Sequence, residues 1–533
     1  MIKMKTVVKG IPGSGKTTFC LNLVVERDPR RTIYISYSRK AIHEARKRAM
    51  EKYGLESSEI KWFRTIHSLC YRALGYSRED ILTEDKIKEF FDKWGLPYAI
   101  SGRWERVLEE GYFSKVQQVE EIPDGNKILA LRSYLIHKEK KRISDIRNLE
   151  AKVSDFISKF GNFDDERLDI PTVVEILKDY ERFKGDKIDY EDVLLEFLER
   201  GSIEDVDVLI VDEFQDLTPL MYEIVKKLER VTKEQFYVGD EAQSIYEYLS
   251  ASPEFLIREF ENADKKVILG KSYRLPDNIL KYAMDFLRRN CKKIISSEFE
   301  GSGRNGRIER VFYLDVKLLK RLESIDTHIL FRTNRQKREF KKFLIENGIF
   351  FREMGMGKRI WTPTAIKIYK FLIKLKKREK IPREFLSVLE LVPYEPFLHR
   401  GIKAKIKKGK IFMLKDEITL EDLKRLFRKP EVLEDPQRLL DALMIEVELK
   451  DVIRRKFVLN PTEIDEKNCI WVGTIHSDKG GEARVVIVHL ELPKIIKRRL
   501  IENMENEARV FYVALTRAKE WLILVGENDL TWI

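Results

Sequence analysis

The sequence predicts an α/β protein built on parallel sheets and divided into several domains. Three observations carry that expectation. A glycine-rich turn, "GIPGSGKT" from Gly10 to Thr17, stands between an apolar run and a helical pattern. A second apolar run, "VLIV", delivers two acids, Asp212 and Glu213, at its end. The chain has 533 residues, too many for one ordinary core.

The first element, "MKTVVK", is a short apolar run ending in a turn and reads as a buried strand. Gly10, Gly15, Lys16 and Thr17 then fit G-x-x-x-x-G-K-[ST], and "TTFCLNLVVERD" has helical spacing. In that strand–turn–helix order, backbone N–H groups from Gly10 through Gly13, Ser14 and Gly15 to Thr18 face a phosphate. Lys16 neutralises β- and γ-phosphate charge, and the Thr17 hydroxyl suits Mg²⁺. The loop alone specifies a nucleoside triphosphate; a kinase, a GTPase and a motor all remain open.

"DVDVLIVDEFQD", Asp205 to Asp216, reads as a central parallel strand with its acids at the carboxyl end, where α/β sheets place ligands. Asp212 suits a Mg²⁺ contact, and Glu213 suits a base that deprotonates the attacking water. The alternative is an acidic surface turn. Adjacent Asp and Glu argue for hydrolysis over small-molecule kinase chemistry, which must keep water out. The strand "EQFYVGD" places Gln243 just beyond its end, within range of a γ-phosphate. "KVILGKSYRLP" brings Arg274 after another strand, and "FYVALTRAKEWLILVG" brings Arg517 between a helix and a strand. Arginines that reach a γ-phosphate stabilise transition-state charge.

Two segments separate these stretches. Residues of about 74–184 are charged, with helix-spaced apolar positions such as "DKIKEFFDKWG" and "TVVEILKDYERF", and read as a helical domain. Residues of about 378–465 include "ITLEDLKRLFRK", where Thr419 is a candidate N-cap, and the basic run Lys403 to Lys410, a solvated face or a duplex-phosphate contact. "EGSGRNGR", Glu300 to Arg307, reads as a flexible turn before the strand "IERVFYL".

Lys and Arg number 101 against 89 Asp and Glu, for a net charge of +12 and a pI near 9.1, which suits a polyanionic partner such as nucleic acid. No apolar run is long enough to span a bilayer and no signal peptide opens the chain, so a cytoplasmic protein without a membrane partner is expected. The four cysteines form no CxxC pair, which argues against a metal or iron–sulfur centre and for reduced thiols.

The ordered set of stretches resembles the superfamily 1 helicases of the UvrD/Rep/PcrA type. The resemblance rests on "GIPGSGKTT", "ISYSRKAIHEARKRA", "RTIHSLCYRA", "KIDYEDVLLEF", "VDEFQD", "VGDEAQSIYEYLSA", "SYRLP", "VGTIHSDKGGEARVVIV" and "EARVFYVALTRAKE", in family order from residue 10 to about residue 525. It implies two RecA-like P-loop motor domains with parallel sheets, each interrupted by a mainly helical accessory domain. The expected bounds are 1–73 with 185–270 for the first motor domain, 74–184 for its insertion, 271–377 with 466–533 for the second, and 378–465 for a short second insertion.

The resemblance also implies ATP at the motor interface, with Mg²⁺, and with Lys16, Thr17, Asp212, Glu213 and Gln243 from the first domain and Arg274 and Arg517 from the second. Glu482 matches the ribose contact and Tyr273 the aromatic that stacks on adenine. For the strand it implies Ser38, Arg39 and Lys40, then Thr65 and His67, then Thr474, His476 and Lys479, with Tyr248 in the place of a base-stacking tryptophan. Ordinary packing is the alternative for Tyr248, and a structural hydrogen bond for His67 and His476. "QSIY" and "TIHSDKG" resemble the branch that moves 3′ to 5′. The expected partners are single-stranded DNA and duplex junctions, and the expected state is a monomer.

The chain also departs from the family. It reaches Gly10 almost at once, without the upstream segment that carries an adenine-reading glutamine, and Thr18 stands where an arginine often stacks on the base. With Tyr273 as the remaining base contact, ATP need not be the sole substrate, and other nucleoside triphosphates are expected to serve. Ser272 replaces the usual Asn, and "EYLSA" replaces a Gly-Trp-Arg-Gly-like sequence. The alternatives to an unwinding enzyme are a strand translocase that strips proteins and unwinds weakly, a P-loop regulatory module that binds RNA or DNA, and a motor on RNA. Retention of Glu213 and Arg517 argues against the regulatory module.

Overall fold

The structure is a computed structural model that describes residues 4–100, 123–160, 163–246, 250–292, 294, 298–355, 359–411, 415–493, 496–497 and 503–526. Two six-stranded sheets, with every pairing parallel, organise the chain. The first is built from β1 (Met4–Gly10), β2 (Thr32–Ser36), β3 (Phe63–Thr65), β4 (Val208–Asp212), β5 (Glu234–Gly239) and β6 (Lys265–Leu269), in the order β3-β2-β4-β5-β1-β6. The second is built from β7 (Arg307–Val311), β8 (Thr327–Phe331), β9 (Phe351–Glu353), β12 (Ile470–Thr474), β13 (Ala483–His489) and β14 (Ala518–Val525), in the order β7-β14-β13-β8-β12-β9. Between them in sequence, β10 (Ile381–Pro382) and β11 (Glu417–Ile418) form a small antiparallel pair.

Strands buried on both faces must be apolar along their whole length, and all five residues of β4 are buried. Its acid is tolerated only because it lies at the carboxyl end, where the sheet opens to a ligand. β1 runs between β5 and β6, so the glycine-rich turn leaves the carboxyl edge of the sheet one strand in from its end.

Between β3 and β4 lie helices Glu84–Lys93, Asp124–Glu139, Leu149–Phe160, Ile170–Lys184 and Tyr190–Arg200. Their apolar residues, among them Phe90, Leu131 and Leu177, join one core with Val7 and Ile33 of the first sheet. The charge expected on this segment is not all at the surface. Arg132 is buried and pairs with Glu181 at 2.6 Å, Asp189 at 2.9 Å and Glu191 at 3.3 Å. Thr419 does cap a helix, Leu420–Lys424, in a reciprocal box with Asp422.

The turn expected to be flexible is tied down. Ser272 N donates to Glu300 O, Ser302 N to Leu275 O, and Gly303 N to the Asp277 carboxylate at 3.0 Å. Two of its glycines reflect close approach: a Cβ on Gly301 would sit 2.3 Å from Asp277 Oδ1 and one on Gly306 2.6 Å from Ile279 Cδ1, whereas Gly303 answers to its left-handed backbone (φ 76°).

A separate apolar core joins the two halves. Ile11, Ala242 and Ile245 from the first sheet's loops pack with Leu275, Ile475 and the helix Met504–Leu515. That helix is buried from Glu507 to Leu515, and Arg517 stands just beyond it. No helix among the described residues is long and apolar enough to cross a membrane.

Candidate functional site

A cleft of about 710 Å³ opens where the apolar seam between the sheets ends. From the first half it is lined by the glycine-rich turn, Asp212, Glu213, Asp216 and Gln243. From the second half it is lined by Tyr273, Arg274, Lys479, Glu482 and Arg517. The turn is held open by two left-handed residues, Gly13 (φ 74°) and Gly15 (φ 84°). No atom lies within 4 Å of a Cβ built on Gly15, so the glycine there answers to backbone conformation rather than to crowding.

The Lys16 ammonium turns back onto the loop and donates to Gly10 O at 2.8 Å and to Ile11 O at 3.5 Å. Two weak carbonyl partners are what a buried ammonium accepts until a stronger anion arrives. The Ser14 hydroxyl oxygen is buried in the same turn without a partner among the described residues. Both features fit a phosphate-binding loop. The Thr17 hydroxyl donates to Asp212 Oδ2 at 3.3 Å, and the Tyr34 hydroxyl donates to the same oxygen at 2.7 Å. A hydroxyl and a carboxylate oxygen side by side form the hard-donor pair that Mg²⁺ takes together with phosphates and water.

The two acids are driven apart electrostatically. Burial, with the Glu213 charge beside it, raises Asp212. Burial pushes Glu213 upward too, but Lys16 and Lys479 outweigh it and hold the group below its usual range. Glu213 is therefore a carboxylate at neutral pH, as a base must be. Its backbone sits in the left-handed region (φ 58°), and the Gln215 amide donates to its Oε2. Gln215 in turn accepts from Asp240 N at 2.9 Å, which fixes the base against the end of β5.

The second half delivers its cations directly. Arg517 is 1% exposed. It donates to Gln243 Oε1 at 3.0 Å, Val513 O at 2.8 Å, Gly481 O at 3.1 Å and Thr516 Oγ1 at 3.2 Å. Burial, with Arg274 nearby, lowers its pKa to about 10, which still leaves it charged at neutral pH. Gln243 completes a relay by donating to Asp240 Oδ2 at 2.8 Å. Arg274 lies 2.6 Å from Glu482 Oε2, and Lys519 donates to the other oxygen of Glu482 at 3.2 Å. Tyr273 is 70% exposed at the cleft and donates its backbone N–H to Gly13 O at 2.9 Å.

Thr18 follows on the first helix turn, outside the cleft lining. Ser272, the departure from the expected Asn, is fully buried. Its hydroxyl donates to Pro12 O at 2.7 Å and accepts from Leu275 N at 3.0 Å, stitching the second half to the glycine-rich turn.

The residues expected to hold a strand are spread over both halves. Ser38, Arg39 and Lys40 line the same cleft, with the Ser38 hydroxyl capping the helix Arg39–Tyr53 through Ala41 N. Thr65 is buried as the N-cap of the helix Ile66–Leu74. His67 is buried beside His137 and Tyr190, and burial lowers its pKa to about 4. The Thr474 hydroxyl accepts from Ser477 N at 3.2 Å, and His476 is buried. Lys479 faces the nucleotide cleft, bonded to Asp216 and to Gln243 O. Tyr248 lies outside the described residues.

Four positioning residues carried no sequence-level role: Tyr34, Gln215, Asp216 and Tyr246, the last lying under the Lys479 ammonium at 4.7 Å. The signal for two of them was present in "VDEFQD", whose last two polar residues had no assigned partner.

Comparison with known proteins gives one consistent result. Residues 1–264 match the family described as the UvrD/REP helicase N-terminal domain, and residues 358–528 match the UvrD-like helicase C-terminal domain. A probable DNA helicase II homolog of Mycoplasma capricolum is 23% identical over 96% of this chain and 81% of that protein. The ATP-dependent DNA helicase PcrA of Staphylococcus epidermidis is 23% identical over 96% of this chain and 80% of its own. The ATP-dependent DNA helicase Rep of Buchnera aphidicola is 23% identical over 96% and 89%.

Proposed function

The chain belongs to the UvrD/Rep/PcrA type of superfamily 1 helicases and is an ATP-dependent DNA helicase, and on that premise we propose that it moves 3′ to 5′ along single-stranded DNA and separates the duplex ahead of it. One observation carries this reading: the nucleotide cleft is shared, with Arg517 and Lys479 of the second half bonded to Gln243 and Asp216 of the first. A triphosphate held there is contacted from both sides, so binding and hydrolysis change how the halves sit together.

In this reading the triphosphate occupies the Gly10–Thr17 turn, with Lys16 transferred from Gly10 O to phosphate. Thr17 and Asp212 hold Mg²⁺, which supplies Lewis-acid neutralisation of phosphate charge. Glu213 orients the attacking water and takes its proton. Gln243 and Arg517 face the γ-phosphate, with Arg274 beside them, and stabilise charge as it develops there. Tyr273 stacks on the base and Glu482 takes the ribose. Residues 74–184 and 378–465 act as the insertions that meet duplex and strand. The surplus of basic residues favours a phosphate backbone as partner, with binding that weakens steeply as salt rises. "QSIY" and "TIHSDKG" support the 3′-to-5′ direction.

The test is strand separation on partial duplexes with either a 3′ or a 5′ single-stranded tail, in ATP and Mg²⁺. Unwinding from the 3′ tail alone supports the reading. Unwinding from the 5′ tail alone overturns the direction. Strand-stimulated hydrolysis without unwinding reduces the protein to a translocase.

A further inference from the structure

Arg274, one of the two arginines placed to meet phosphate, is engaged by a carboxylate of its own half. Its Nε lies 2.6 Å from Glu482 Oε2, and Lys519 donates to Glu482 Oε1 at 3.2 Å. All three side chains line the nucleotide cleft. Burial raises the Glu482 carboxyl, but Arg274 and Lys519 outweigh it and hold the group below its usual range. The carboxylate is therefore charged and shared between two cations.

Those two cations are not equivalent. Arg274 is fixed at its backbone: its carbonyl accepts from Arg304 Nη2 at 3.1 Å, and a Cβ on Gly13 would sit 2.4 Å from Arg274 Cβ. Only the side chain beyond Cβ is free to swing. Its Nε–H is buried without an aligned acceptor among the described residues, so the contact with Glu482 is one of charge rather than a well-directed hydrogen bond. Lys519 is held beside Glu482 by the pairing of Ala483 with Ala518, and its bond is aligned. The Arg274 charge also bears on Arg517, whose pKa it joins burial in lowering. An anion between the two guanidinium groups relieves that repulsion.

The exchange that releases Arg274 has two halves. A triphosphate offers the guanidinium a stronger anion, and ribose hydroxyls offer Glu482 replacement donors. A triphosphate without those hydroxyls leaves a half-buried carboxylate with Lys519 alone, which favours the return of Arg274.

We infer that Glu482 is a latch on Arg274 that the ribose hydroxyls of the substrate open, with Lys519 as the positioning residue that keeps Glu482 in place once Arg274 departs. The inference rests on the nucleotide reading above and deepens it: the cleft selects ribonucleoside triphosphates at the step that delivers Arg274 to phosphate, whatever the base.

The test is steady-state hydrolysis by the full chain with oligothymidylate and Mg²⁺, comparing ATP with 2′,3′-dideoxy-ATP. Wild type should turn over the dideoxy nucleotide with a kcat about tenfold or more below that for ATP. Glu482→Gln keeps an acceptor for ribose and loses the charge that holds Arg274. Its dideoxy kcat should rise above that of wild type and come within about threefold of its own ATP kcat. Lys519→Met leaves Arg274 as the one cation on Glu482 among the described residues, and should widen the wild-type gap. A plain ribose contact predicts otherwise: the gap lies in KM, and Glu482→Gln brings ATP down to the level of dideoxy-ATP with no gain for the latter. That pattern, or equal wild-type kcat on the two nucleotides, overturns the latch while leaving the nucleotide site intact. Thermal unfolding checks that each variant folds; should Glu482→Gln fail to, the wild-type ratio and its change in Lys519→Met decide. Wild type that hydrolyses neither nucleotide overturns the nucleotide reading and the latch with it.

Discussion

Lys479, on the loop after β12, reaches across the cleft and holds both carboxylate oxygens of Asp216, at 2.6 and 2.5 Å, while also donating to Gln243 O at 2.8 Å. Burial raises Asp216 to about 7 even against that ammonium, so at neutral pH the carboxyl stands at the edge of protonation and what charge it keeps depends on Lys479 rather than on solvent. Lys479→Ala leaves Asp216 buried and uncompensated, and Asp216 then takes up a proton at neutral pH. The expected result is a loss of about tenfold or more in strand-stimulated hydrolysis, with nucleotide affinity changed by less than about threefold. Steady-state hydrolysis beside fluorescent-nucleotide titration checks it.

Glu213→Gln keeps the shape of the site and removes the base. Nucleotide binding should survive and turnover should fall by about 10³-fold. Gln215→Ala tests the support behind it. With the amide gone, Glu213 loses its tether to Asp240, and kcat should drop by about tenfold with KM unchanged. Full turnover in Glu213→Gln would remove the assigned base.

Arg517 uses its whole guanidinium fan, with four acceptors in three directions. Lysine cannot reproduce that geometry. Both Arg517→Ala and Arg517→Lys should slow hydrolysis by about 10³-fold. A lysine variant near wild-type rate would show that charge alone suffices.

Ser272→Ala cuts the stitch between Pro12 O and Leu275 N. A buried hydrogen-bond pair of this kind is worth about 1–3 kcal/mol when broken. Thermal unfolding should move to lower temperature, and KM for ATP should rise severalfold as the glycine-rich turn loses its anchor.

His67 and His137 face each other with ring centroids 6.3 Å apart, and burial lowers them to about 4 and about 3. Their folded values lie below the unfolded value near 6.5, so the unfolded chain binds more protons between pH 6.5 and 4. Stability should fall as pH falls through that window. His67→Gln should make the slope of unfolding free energy against pH shallower there, as read by denaturant titration.

The nucleotide half of the site was legible because its groups are local. Gly10 to Thr17 and Val208 to Glu213 each place their chemistry within a few residues of a strand end, so periodicity and spacing suffice. The cross-cleft bonds were not legible, since Lys479 and Asp216 are separated by 263 positions and meet only through the packing of two sheets. Ser38, Thr65 and Thr474 show a different difficulty. A hydroxyl before a helical turn suits a phosphate and an orphan N–H equally well; here each accepts from a backbone N–H, of Ala41, Ser68 and Ser477, a bond that does not decide for or against a strand contact by the hydroxyl proton. The Glu300–Arg307 turn read as flexible because glycine marks both freedom and tight approach, and only the contacts with Asp277 tell them apart.

The place of β1 between β5 and β6 sets the order in which this protein can be made. The strand that carries the nucleotide loop leaves the ribosome well before either of its neighbours, both of which lie beyond residue 233. Until β5 has emerged, β1 offers two unpaired edges, one edge stays open until β6 follows, and the loop at its end has no complete scaffold to hold its shape. Synthesis therefore passes through a long interval in which the phosphate cradle does not yet exist. Slowing translation just after Leu269 should raise the soluble yield, because it gives the first sheet time to close before the second begins.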